Sequence, residues 1–228
     1  MTNRPFETGE VKGHFDALAP DYDRIKWKNR YYYRSLNKFI AQAIPPGKKV
    51  LEIGTATGEL LNFVKPAAGT GIDLSPRMIE QARAKFPHLE FEASSFETFQ
   101  PKAQYDYILA ADVIEHVPAP ENLFKNLRRL SGPSTQVVLT MANPLWEPFL
   151  EFFEKLRLKM VEGPHLRISL KEVARLANSE GFQMRSLDRY LLFPVGVPFL
   201  SAALNDGIGR LPFLKPYCLI VRFVFSQG

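Results

Sequence analysis

The sequence predicts an α/β fold: a doubly wound, mostly parallel seven-stranded sheet with an antiparallel last strand and helices on both faces. Three observations predict it. Short apolar runs of strand length alternate with helical segments through the first two-thirds of the chain, the pattern of right-handed βαβ units. The first run ends in a glycine-rich turn that opens a helix, and the second ends in an acid. The last two strand-like runs have no helical pattern between them, so they read as a hairpin-like pair.

Residues 49–54 form a short apolar run closed by glycine, a buried strand. A helical segment follows over 58–65. Residues 69–73 read as the second strand. Ser75 and Pro76 then start a helix to about residue 85, with serine at the N-cap and proline at the first helical position. Residues 89–93 alternate like a third strand. Residues 105–111 form a fourth, apolar enough to be buried on both faces. Residues 120–130 are helical, with Leu123, Leu127 and Leu130 on one side, and 136–141 form a fifth strand. The stretch 142–167 is irregular and partly helical. A capping-box-like start at Ser169 opens a helix to Glu180, which Gly181 ends. Residues 183–192 and 217–225 are the last two strands, joined by an apolar excursion over about 193–216.

A single domain over residues 1–228 accommodates these elements, with an N-terminal helical cover over about 10–45. Hydrophobic residues at 46% and charged residues at 23% suit a globular protein in water. The one cysteine, Cys218, lies in an apolar run and reads as a small core residue. The opening MTNRPFETGE has no apolar signal core, and the longest apolar run, 191–200, is short and interrupted by two prolines. A cytoplasmic protein without a transmembrane segment is expected, with peripheral membrane contact still open.

The net charge of +5 is uneven. Arg24, Lys26, Lys28, Arg30, Arg34, Lys38, Lys48 and Lys49 fall in one stretch without an acid, interleaved with Trp27, Tyr31, Tyr32, Tyr33 and Phe39. Two readings stand: a solvated amphipathic helix with its aromatics on the core, or a surface for an anionic substrate, a membrane or nucleic acid.

The turn after the first strand reads Glu52-Ile53-Gly54-Thr55-Ala56-Thr57-Gly58-Glu59. A dinucleotide fingerprint, G-x-G-x-x-G, meets Gly54 but then Ala56 and Glu59, so two of its three glycines fail. Glu52 and Glu59 also place negative charge where a pyrophosphate would sit. A cationic ligand without phosphate fits better. The stretch resembles motif I, E/D-x-G-x-G-x-G, of class I S-adenosylmethionine (SAM)-dependent methyltransferases, whose Rossmann-like fold agrees with the elements above. Ala56 departs at the middle glycine, and a slightly tighter loop is expected.

The resemblance implies SAM as cofactor, S-adenosylhomocysteine as product, and the following residues as its holders. Glu52 orients the amino end, and Gly54, Thr55 and Gly58 pass under the methionine part. Asp73, in Gly71-Ile72-Asp73-Leu74-Ser75, accepts the ribose hydroxyls, with Leu74 and Met78 against the adenine. Ser94, Ser95 and Phe96 stand where the family often has Gly-Asp-Ala, and Ala111 closes the fourth strand. The opening Phe15-Asp16-Ala17-Leu18-Ala19-Pro20-Asp21-Tyr22-Asp23 is similar to the F-D-x-x-A-x-x-Y-D start of small-molecule members. Tyr22 and Arg34 are candidates there for the cofactor carboxylate.

Asp112-Val113-Ile114-Glu115-His116 resembles the family's motif IV in its D/E-V-x-E-H form. Asp112 and His116 are the catalytic candidates. Three readings remain open: His116 as general base, with a suitable ordinary pKa; Asp112, Glu115, His116 and His165 as ligands of a divalent metal, the less favoured alternative; or Glu115 and His116 as braces of the turn. No metal ligand is assigned. The Asn/Asp-Pro-Pro-aromatic motif of base-amino methyltransferases is missing at Ala111-Asp112-Val113, which disfavours nucleic acid. The expected acceptor is a small molecule methylated at oxygen, the alternatives being metal-assisted methylation of an RNA or lipid-like acceptor, a dinucleotide-dependent oxidoreductase, or a SAM-fold binding module without catalysis; the expected assembly is a monomer or homodimer.

Overall fold

In the computed structural model, residues 6–155 and 163–228 are described; the expectation for 142–167 falls partly outside them. The chain opens with three helices, α1 (Thr8–Leu18), α2 (Tyr22–Lys28) and α3 (Arg30–Ala41). The alternating part then runs β1 (Lys49–Ile53), α4 (Glu59–Phe63), β2 (Ala68–Asp73), α5 (Pro76–Lys85), β3 (Glu90–Ala93), β4 (Tyr107–Ala111), α6 (Pro120–Leu130) and β5 (Gln136–Ala142). Helices α7 (Glu147–Lys155) and α8 (Leu170–Ser179) precede the last strands, β6 (Phe182–Tyr190) and β7 (Ile220–Gln227).

The seven strands form one sheet in the order β3-β2-β1-β4-β5-β7-β6. All pairings from β3 to β5 are parallel, and β7 is antiparallel to both β5 and β6. The strand period of two sorts the side chains onto two cores. Leu51, Ile53, Ile108, Val137, Leu139, Phe223 and Phe225 face α6 and α8. Val50, Leu109, Val138, Ile220 and Val224 face α3, α4 and α5. Cys218 is buried, as its apolar neighbourhood predicts.

Local cap chemistry forms where the sequence places it. The Ser75 hydroxyl accepts from Met78 N–H at 3.1 Å, and Ser169 accepts from Glu172 N–H at 3.1 Å. Two expectations need correction. The basic aromatic segment is two helices broken at Asn29, not one. The excursion before β7 is not without helix: short helical turns cover Leu200–Ala202, Ala203–Gly207 and Ile208–Arg210. Prolines at 194, 198, 212 and 216 bracket these turns and mask their pattern in the sequence.

The strand order reverses between β1 and β4: the chain winds to one side through β2 and β3, then to the other through β5. A cleft forms at the carboxyl ends of strands at such a switch point. The glycine turn, Asp73 and Asp112 all stand at those ends.

Candidate active site

The turn after β1 is left-handed at alternate residues: Gly54 has φ +71°, Ala56 +47° and Gly58 +79°. Glycine is needed at 54, where an added Cβ would stand 2.6 Å from Val113 Cγ2. Ala56 does not simply tighten the turn. It adopts the glycine conformation, at a cost of about 1 kcal/mol for an L-residue, and its N–H donates to Asp73 Oδ2 at 2.9 Å. Asp73 Oδ1 accepts from Ser75 N–H at 2.9 Å. Burial raises the Asp73 pKa and these two N–H bonds work against the rise. Each carboxylate oxygen keeps a second lone-pair direction for a hydroxyl.

Glu52 lies beneath the turn, only 2% exposed. Its Oε2 accepts from Thr55 Oγ1 at 2.6 Å and Leu61 N–H at 3.1 Å. Burial pushes its pKa up to about 8, against those bonds and the charge of Lys26. Glu59 is ion-paired with Lys26 at 3.1 Å and Lys85 at 3.8 Å. Its charge is therefore offset, and the case against a phosphate rests more on Asp73 than on Glu59.

The N-terminal helices cover this turn. Asp23 accepts from Thr57 Oγ1 at 2.9 Å and pairs with Lys85. The Ser75 hydroxyl donates to Asp16 at 2.5 Å, and Gln81 Nε2 donates to Ala19 O at 2.7 Å. Lys26 Nζ stands 5.4 Å from the Tyr22 ring centre and 4.7 Å from that of Tyr33. The Tyr22 hydroxyl is held protonated, its pKa raised by burial and then by Asp73, Glu59, Asp112 and Glu52. Tyr22 therefore sits among the acids of the site. Arg34 is exposed on α3, and the cations paired with Glu59 of the turn are Lys26 and Lys85.

At the end of β4, Asp112 has φ +54°, an uncommon conformation outside glycine. Its Oδ1 accepts from Thr140 Oγ1 at 2.8 Å and its Oδ2 from Tyr32 Oη at 3.1 Å. Burial, with Asp112 second, raises the Tyr32 pKa well above its ordinary value. Glu115 braces the turn, as one reading expected: its Oε1 accepts from Ala142 N–H at 3.0 Å and its carbonyl from Leu166 N–H at 2.6 Å. His116 Nδ1 lies 2.8 Å from Pro164 O. A carbonyl only accepts, so Nδ1 carries a proton in this contact. Phe15 of α1 meets this ring edge-on at 5.4 Å and His165 at 6.4 Å. His165 Nδ1 is 3.1 Å from Gly163 O, and its Nε2 is 3.9 Å from Glu147. Among the described residues, no group of three or more His, Cys, Asp or Glu side chains is placed to hold a metal ion.

The remaining candidates divide. Ser94 N–H donates to Asp73 O at 3.0 Å, so the end of β3 stands beside that acid. The Ser94 and Ser95 hydroxyls lie 3.3 and 3.2 Å from Thr98 Oγ1. Leu74 and Ala111 are half-buried, while Phe96 belongs to the core. Met78 is wholly buried and offers no surface to a ligand. Sequence reasoning missed Asp16, Asp23, Lys26, Tyr32 and Thr140. The first two stand in the F-D-x-x-A-x-x-Y-D stretch, and that motif was the signal available for them.

The residues present fit SAM. Gly54 is exposed between buried Ile53 and Thr55, an opening at the centre of the sheet. Near it stand a buried acid, an acid with diol-accepting capacity, and Tyr22 and Tyr32 beside the acids, a donor and charge set matched to a cationic nucleoside. Fold and site together define a SAM-dependent methyltransferase.

Comparison with known proteins gives the same class. Residues 26–187 match a family model described as a methyltransferase domain, and the chain belongs to that family. It is 26% identical over 224 residues to a demethylmenaquinone methyltransferase of Tropheryma whipplei, covering 92% of this chain and 83% of that one. It is 27% identical over 150 residues, 60% of this chain, to phosphoethanolamine N-methyltransferase 2 of Caenorhabditis elegans, and spans a third of that protein's length (33%). Among solved structures, a Thermotoga maritima SAM-dependent methyltransferase superposes with TM-score 0.72 at 19% identity, covering 96% of this chain and 100% of that one. The magnesium protoporphyrin IX methyltransferase of Synechocystis, with bound S-adenosylhomocysteine, gives 0.69 at 13%, covering 97% and 100%.

Proposed function

We propose that the protein transfers the methyl group of SAM to a hydroxyl oxygen of a small-molecule acceptor, with His116 as general base. The observation that carries this reading is the place of His116 in the turn after β4, next to Asp112, with its Nδ1 donating to Pro164 O, which makes Nε2 the basic nitrogen of the ring in its neutral form. When bound, SAM supplies an electrophilic methyl on a sulfonium.

This chain's residues do the rest. Asp73 accepts the ribose hydroxyls, with Leu74, Ser94, Ser95 and Phe96 around the base and Met78 supporting them from behind. Gly54, Thr55, Gly58 and Ala111 line the methionine part, with Glu52 at its amino end and Tyr22 toward its carboxylate. Asp112, held by Thr140 and Tyr32, positions the acceptor at the end of β4. His116 removes the acceptor's hydroxyl proton as the oxygen attacks. Alignment supplies much of the remaining acceleration, since in-line displacement needs little other chemistry. No metal is assigned a step.

The Tropheryma relative, which covers most of both chains, favours a second reading in which the attacking atom is a ring carbon of a quinol-like acceptor. Radiolabelled methyl transfer to a panel of hydroxylated aromatic compounds, with the product analysed for methyl ether against ring methyl, separates the two. His116→Asn is expected to lower kcat by roughly 10²–10⁴-fold, leave KM for SAM unchanged and flatten the acid limb of the pH profile. A variant with wild-type kcat and pH profile would remove His116 from the chemistry.

A further inference from the structure

Residues 195–200, Val-Gly-Val-Pro-Phe-Leu, are six consecutive exposed positions without a charged or polar side chain. Phe199 is 93% exposed and has φ +61°, a conformation that a bulky L-residue rarely adopts. Phe213 and Tyr217, further along the same excursion, are also exposed. A contiguous exposed apolar surface of this kind marks a contact site.

The tip is firmly built. Ser201 is buried; its hydroxyl accepts from Val197 N–H at 2.7 Å and lies 2.6 Å from Val195 O. Asn205 is buried as well. It accepts from Phe193 N–H at 2.8 Å and donates to Phe193 O at 2.8 Å and to Tyr31 Oη at 2.9 Å. Pro194 and Pro198 have no N–H to satisfy. Several backbone groups of the tip are therefore satisfied from within, which holds its apolar side chains out toward a partner surface.

Charge supplies the second, independent observation. Tyr31 joins the tip to α3: a Cβ on Gly196 would lie 2.9 Å from Tyr31 Cβ. Arg34 and Lys38, both exposed, follow Tyr31 by three and seven residues and so project along the same side of the helix. Trp27 is exposed with the Arg30 guanidinium 4.6 Å from its ring, and Arg210 is exposed within the excursion. Apolar and aromatic side chains rimmed by cations match the headgroup region of an anionic bilayer. A second copy of the chain matches poorly, because a two-fold interface would set one cationic face against its equal. Among the described residues no helix is long and apolar enough to cross a membrane, so the contact is peripheral.

We propose that the tip at residues 195–200, with the cationic side of α3 beside it, docks the protein onto an anionic lipid surface. This goes beyond the methyl-transfer reading and does not depend on it. The test is co-sedimentation of the full chain with vesicles of phosphatidylcholine alone or mixed with phosphatidylglycerol. The wild type is expected to sediment with the mixed vesicles and to be released by salt. V197S/F199S is expected to weaken the partition by about tenfold or more. K38E/R210E is expected to weaken it at least about tenfold, since each basic side chain near such a surface is worth roughly a fivefold change. V197S/F199S should keep the wild-type melting temperature and K38E/R210E should stay close to it, because every altered side chain is exposed and the Arg210–Asp206 pair lost in the second is a surface pair. Three results would overturn the proposal: no sedimentation with the mixed vesicles, V197S/F199S binding as well as the wild type, or a dimer in ultracentrifugation that V197S/F199S dissociates.

Discussion

Glu52 is a carboxylate whose charge depends on what arrives above it. Burial pushes it up to about 8, although Thr55, Leu61 and Lys26 all favour its ionised form. In the unfolded chain it titrates near 4.5. Between those values the folded protein keeps a proton that the unfolded chain gives up. Its contribution to stability is therefore complete below the unfolded value and is lost as pH rises through about 8. A cation bound above the turn favours the carboxylate and reverses this balance. SAM binding is thus expected to expel a proton. Below about pH 7.5 the affinity should rise with pH, approaching about tenfold per unit, with about one proton released. Calorimetry in buffers of different ionisation enthalpy measures this directly. Glu52→Gln keeps an acceptor for Thr55 and Leu61 but should bind SAM without proton release. A wild type that releases no proton would show that Glu52 does not sense the ligand.

The helices of the N-terminal cover touch the loops after β1, β2 and β4: α1 through Phe15 and Asp16, α2 through Asp23 and Lys26, α3 through Tyr32. Asp23 matters most for α2, because it holds both Thr57 of the turn and Lys85 of α5. Both ion-pair partners are about a third exposed, so that pair contributes less than about 1 kcal/mol, and with the buried Thr57 hydroxyl left without its acceptor Asp23→Ala should cost roughly 1–3 kcal/mol of global stability. Its larger effect should be local: faster proteolysis near α2 and S-adenosylhomocysteine affinity lowered several-fold. Unchanged proteolysis would mean that the remaining bonds hold the cover alone. Much of this level was legible in the sequence. Strand periods and serine caps are local chemistry, so β1, β2, α5 and α8 fall close to their expected bounds. The break at Asn29 was not legible, because Trp27-Lys28-Asn29-Arg30 contains neither proline nor glycine. The Tyr32–Asp112 bond spans 80 residues, and no local pattern encodes it.

At the scale of the molecule, the sheet and the cover are pinned together by one residue of the last strand. Arg222 of β7 is 8% exposed. Its Nη2 lies 2.9 Å from Asp188 on β6, its Nη1 donates to Phe39 O on α3, and its guanidinium stands 4.2 Å from the Phe39 ring centre. Burial alone would raise the Asp188 pKa, but its bonds from Arg222 and Ser186 outweigh that and hold it below the usual range. Its contribution to stability is therefore present at neutral pH and is lost as pH falls through that lowered value. Asp188 is 43% exposed, so water replaces part of what Arg222 supplies. Arg222→Met is expected to cost roughly 2–3 kcal/mol, less than for a fully buried pair, and it also leaves the Phe39 carbonyl and ring without their cation. Asp188→Asn keeps an acceptor and should cost under about 1 kcal/mol. Denaturant midpoints measure both. Because α3 also carries Tyr32, Arg222→Met should weaken S-adenosylhomocysteine binding while Asp188→Asn leaves it near wild type. Equal stability losses from the two variants would place the energy in the ion pair rather than in the grip on α3. An unchanged ligand affinity in Arg222→Met would uncouple the last strand from the site.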